Sequence, residues 1–153
     1  MSNAILYSSQ YQNYRKIDLI VIHCSATRCD RPFPLEAVIA SHRARGFATV
    51  GYHYYITRDG TVHTGRPLYQ EGAHAMGFNR RSIGVCYEGG LSIRGTPADT
   101  RTQEQKDTLL KLLRRLKKDY PHARIVGHRD LPNVAKDCPC FDAEAEYARI
   151  SCE

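Results

Sequence analysis

The segment Ile17–His23, IDLIVIH, constrains this chain more than any other. A short β-branched run with almost no polar alternation suits a strand buried on both faces, in a sheet covered by helices. The run ends on a histidine. From Leu35 the spacing Leu35, Val38, Ile39, His42 predicts a helix of about three turns, with Pro34 near its first position and Gly46 closing it. Gly51–Thr57 and Thr61–Arg66 are β-prone runs joined by Arg58-Asp59-Gly60, which predicts a hairpin. Ser82–Glu88 reads as a further strand, with Cys86 on its less apolar side. A second helix is expected over Thr102–Tyr120, opened by a capping box (Thr102, Gln105) and stopped by Pro121. Arg124–Gly127 reads as a short strand leading into His128, and Asp142–Ile150 as a final helix. Strands alternating with helices, plus one hairpin, predict an α/β fold: a single domain with a central mixed β-sheet flanked by helices.

Composition narrows the classes. The 153 residues, 42% hydrophobic and 25% charged, suit one globular domain and exclude a disordered or collagen-like chain. Residues 1–16 read as an N-terminal extension, with Ser2–Ala4 resembling a cloning remnant, and 17–153 as the domain. No apolar run approaches a membrane span and no signal peptide is visible, so membrane insertion is not expected. The net charge of +6 favours polyanions at low salt without naming one. The cysteines Cys24, Cys29, Cys86, Cys138, Cys140 and Cys152 are too sparse for a disulfide-stapled scaffold and read as reduced thiols.

Metal ligation is the sharper question. His23 and His128 both follow strands, and ligands of open α/β sheets gather at strand ends. Ten residues after His128 comes Cys138. Two imidazoles and one thiolate leave a fourth zinc position for water, the donor set of a catalytic site. Lys136, two residues before Cys138, reads on its own as a solvated lysine. Beside a metal, its ammonium would stabilise a developing oxyanion.

The segments VIHCSAT, VGYHYYITRDGTV, GAHAMGFNRRSIGVC, GHRDL and KDCPCFD occur in the order found in the type 2 family of zinc-dependent N-acetylmuramoyl-L-alanine amidases. The chain resembles that family, which includes T7-type phage lysozymes and peptidoglycan recognition proteins, from about Ile17 to Phe141. The resemblance implies zinc held by His23, His128 and Cys138 at the base of a substrate groove, with Tyr52 and Lys136 catalytic. It implies a peptidoglycan or muropeptide substrate, cut between N-acetylmuramic acid and L-alanine of the stem peptide. His74 and Asn79 resemble positions lining the groove, His74 as a partner for glycan or peptide and Asn79 for a peptide backbone. Arg80 and Arg81 are candidates for stem-peptide carboxylates or plain surface residues. The cytosolic recycling branch carries a carboxylate at the position of Cys86 and aspartate as third ligand. Cysteine at both places points instead to the phage-lysozyme branch. Glu88 is either a stray base or a solvated strand end, and Cys140 a rival to Cys138 for the metal.

The rival to an enzyme is a peptidoglycan-binding module without catalysis, but retention of all five chemical residues favours the enzyme. Nucleic-acid binding is not expected, because Lys106, Lys111, Arg114, Arg115, Lys117 and Lys118 read as the solvated face of the second helix. The resulting expectation is a monomeric prophage-type lysin, made in the cytoplasm and acting on the cell wall after release.

Overall fold

The computed structural model describes residues 15–150. Ser2–Ala4 and Cys152 lie outside these residues. A five-stranded sheet is ordered β4-β3-β5-β1-β7. Its strands are β1 (Leu19–Cys24), β3 (Tyr54–Ile56), β4 (Val62–Thr64), β5 (Ser82–Tyr87) and β7 (Arg124–Gly127), parallel except for the β3–β4 hairpin. A small parallel pair, β2 (Thr27–Arg28) and β6 (Gly90–Leu91), forms beyond the ends of β1 and β5.

All six residues of β1 are buried, as its apolar run requires. Strand alternation then divides them. Ile20, Ile22 and Cys24 enter the larger core with Leu109, Leu113 and Leu116 of α2 (Gln103–Asp119), whereas Leu19 and Val21 join Ala75, Val126 and Leu131 on the opposite face. His23, two residues beyond Val21, belongs to that second face. In register beside it are Cys86 of β5 and then Tyr55 of β3. Val38 of α1 (Leu35–Ala44) packs on Tyr55 and Cys86, so α1 covers the site-bearing face while α2 covers the other.

The α2 capping box forms: Thr102 Oγ1 accepts from the Gln105 backbone at 3.1 Å and Gln105 Oε1 from the Thr102 backbone at 3.0 Å. Gln105 is also fully buried, and its amide donates to the carbonyls of Ile56 and Glu88, fastening the helix to the ends of β3 and β5. Lys117, expected on the solvated face, is buried instead. Its ammonium donates to the carbonyls of Pro121 and Ala123 just past the helix end.

Two elements are shorter than the sequence suggests. The hairpin pairs only three residues per strand, because β4 is a largely exposed edge, although Gly65 and Arg66 still donate to the carbonyls of His53 and Tyr52. The last helix, α3, spans only Ala143–Glu146 and continues as three-residue turns. Tyr147 and Ile150, three apart, both turn into the core, and Arg101 grips Glu146 and the Tyr147 hydroxyl.

Candidate active site

Three elements deliver the metal-ligating candidates. His23 is the penultimate residue of β1 and is 2% exposed. β7 ends at Gly127 and runs into a tight turn, His128–Asp130, in which Asp130 accepts from the Gly127 backbone at 2.7 Å. The Arg129 amide donates to the Cys138 carbonyl at 2.8 Å, tying the third segment to the second. A β-carbon at Gly127 would lie 2.8 Å from Pro139, so only glycine lets the cysteine segment approach this closely.

One donor atom each from His23, His128 and Cys138 falls within 4.8 Å of the others. Tetrahedral zinc with Zn–N and Zn–S bonds of about 2.0–2.3 Å sets its donors about 3.3–3.8 Å apart. The cluster fits such an ion after a small inward shift. Nδ1 of His23 faces the Cys138 sulfur at 3.9 Å, and the Cys24 backbone N–H donates to that sulfur at 3.3 Å. Burial, then the neighbouring His74, His128 and Lys136, holds the His23 pKa well below its usual value. Burial and Lys136 lower that of His128. Both imidazoles are thus kept neutral, the form that binds metal.

A cavity of about 460 Å³ opens over the cluster. Tyr52 and Lys136 line it with the three donors, and among the described residues no carboxylate does. The Tyr52 ring stands 5.1 Å from His23 and 5.2 Å from His42. Burial pushes its phenol pKa well up, so the hydroxyl remains a proton carrier. On the cavity wall, His42 Nδ1 accepts from the backbone of Gly51, just before Tyr52, at 2.8 Å.

His74 and Asn79 also border the cavity, with the ring nitrogens of His74 and the amide oxygen of Asn79 engaged inside the protein. Nδ1 of His74 lies 2.8 Å from Nε2 of His23, and its Nε2 lies 3.2 Å from Ser82 Oγ. Asn79 Oδ1 accepts from the backbones of His74 and Ala75. Arg81 pairs with Asp18 at 3.2 Å. Glu88 is neither a base in the cavity nor solvated: it is buried, and its carboxylate accepts from the backbones of Phe33 and Arg58. Cys140 stands outside the three-donor group, 3.9 Å from Cys24, with its thiol pushed up to about 12 by burial. Sequence reasoning missed Cys24, Ser82 and His42 as supports. Cys24 adjoins His23 in the chain and was open to notice, whereas Ser82 and His42 carry no local signal.

Residues 13–141 match the profile of N-acetylmuramoyl-L-alanine amidases. The chain is 36% identical over 135 residues to the endolysin of Enterobacteria phage K11, covering 88% of each. It is 37% identical over 133 residues to the endolysin of Escherichia phage T7, covering 87% of each. Its backbone superposes on the N-acetylmuramoyl-L-alanine amidase LysC from Clostridium intestinale URNW with a TM-score of 0.75 at 28% identity, over 90% of this chain and 87% of that one. Sequence and backbone agree across nearly the whole described domain, and the chain is an enzyme of the N-acetylmuramoyl-L-alanine amidase family.

Proposed function

We propose that the protein hydrolyses the amide between the lactyl group of N-acetylmuramic acid and L-alanine of the peptidoglycan stem, using zinc held by His23, His128 and Cys138. The observation that carries this is the convergence of those three donors beneath a cavity that Tyr52 and Lys136 also line. The chemistry supplied by zinc when bound is a lowered pKa for coordinated water, towards about 7, and polarisation of the scissile carbonyl.

The chain's own groups do the rest. Tyr52, kept protonated by burial, donates a hydrogen bond to the attacking water or to the oxyanion that develops on the substrate carbonyl. Lys136 brings ammonium donors and positive charge to the same cavity. Among the described residues no carboxylate lines the wall, so apart from the Cys138 sulfur the negative charge building on the substrate meets only neutral or cationic groups. Neutral His23 and His128 keep their lone pairs for the metal. Asn79 fixes the loop bearing His74, shaping the wall of the groove.

In this account the protein is a monomeric phage- or prophage-type lysin, made in the cytoplasm and reaching the wall after release. Likeness to phage endolysins supports that setting, and no helix among the described residues is long and apolar enough to cross a membrane. Digestion of purified sacculi, with separate assays for new L-alanine amino termini and new reducing sugar ends, tests the bond. Amines without reducing ends are expected; reducing ends without amines would refute it.

A further inference from the structure

We propose that His74 is a positioning residue for the metal, holding His23 by its outer nitrogen while Ser82 holds His74, and is not a substrate contact. This rests on the zinc reading of the site. His23 turns Nδ1 towards Cys138 and has its Nε2 2.8 Å from His74 Nδ1. An imidazole that gives one nitrogen to a metal carries its proton on the other. His23 Nε2–H therefore donates, and His74 Nδ1 accepts. A neutral His74 then has its proton on Nε2, the atom 3.2 Å from Ser82 Oγ. One metal bond thus fixes both tautomers.

The surroundings are built to keep the His74 ring there. The two rings meet edge to face, at 86° with centroids 4.9 Å apart. A β-carbon at Gly84 would lie 2.7–2.8 Å from the His74 ring, and one at Gly72 2.7 Å from its Cδ2. The ring occupies a slot that two missing side chains leave open. Ser82 is fully buried at the start of β5, and Asn79 Oδ1 secures the backbone of His74 and Ala75. A side chain meant for substrate would present a free nitrogen to the cavity, but both nitrogens of His74 already have partners inside the protein.

Zinc affinity by competition with a chromogenic chelator, and the visible spectrum of the cobalt-substituted protein, are compared for wild type, H74F, H74N and G84A. Loss of an outer partner of a metal-bound histidine weakens metal binding about 10- to 100-fold. H74F and G84A should show that loss with altered cobalt bands, and H74N, whose amide oxygen replaces Nδ1 as acceptor, should recover most of it. Metal-free melting curves separate this from loss of fold. Unchanged affinity in folded H74F, or H74N as weak as H74F, would overturn the proposal, as would a rise in KM alone. Nitrogen-15 NMR of the zinc-loaded wild type needs no variant: His74 should be protonated on Nε2 with Nδ1 accepting, and a proton on Nδ1 would overturn the relay. A wild type that binds zinc but releases no amine from sacculi would refute the proposed activity and leave the relay standing.

Discussion

Neither nitrogen of His23 is spare, since one faces the metal position and the other meets His74, so the residue works only in one orientation and one tautomer. Tyr52 is constrained differently, by burial that keeps its phenol protonated beside that ring. Tyr52→Phe removes the donor and keeps the ring. Zinc content should be unchanged, while kcat/KM for amine release falls about 10²- to 10³-fold, the usual effect of losing one oxyanion donor. Equal activity in the variant would leave Tyr52 with packing alone. The meeting of His23, His128 and Cys138 was legible because two of them close apolar strands and the third follows at short range. The inward role of His74 was not, since its partner is 51 residues away in sequence and only the fold reveals that Gly84 vacates its slot.

The junction of β5, α1 and the hairpin is fixed by one buried carboxylate. Glu88 accepts from Phe33, just before α1, and from Arg58 in the hairpin turn, while its carbonyl accepts from Gln105 of α2. Glu88→Ala leaves two backbone donors unpaired, at roughly 1–3 kcal/mol each. Urea unfolding should register a loss of about 2–6 kcal/mol, with kcat per folded molecule unchanged. A fall in kcat without loss of stability would make Glu88 a catalytic base after all. The α2 capping box and the Asp59-Gly60 turn were readable because their signals are local. The truncation of α3 and the burial of Lys117 were not, because Arg101 and the carbonyls of Pro121 and Ala123 impose them through tertiary contacts.

For the molecule as a whole, pH acts through buried imidazoles. His53 accepts from the Gly84 backbone through Nδ1 and faces the Gln70 carbonyl through Nε2, and burial lowers its pKa from 6.5 to about 4. Between those values the unfolded chain binds a proton that the fold refuses, so stability falls as pH drops from 6.5 towards 4 and is insensitive to this group above 6.5. The share of His53 is about 3 kcal/mol. The melting temperature of His53→Gln should decline less steeply than wild type across that window, and an equal slope would contradict the assignment. The basic surface, at +6, should speed approach to an anionic wall and do so less in high salt. The central claim, that one zinc on His23, His128 and Cys138 drives amide cleavage, is tested most directly by titrating zinc into chelator-stripped enzyme while following release of L-alanine amino termini from sacculi. The account predicts no release without metal and a rise that saturates at one zinc per chain, whereas full activity in the stripped enzyme would contradict it.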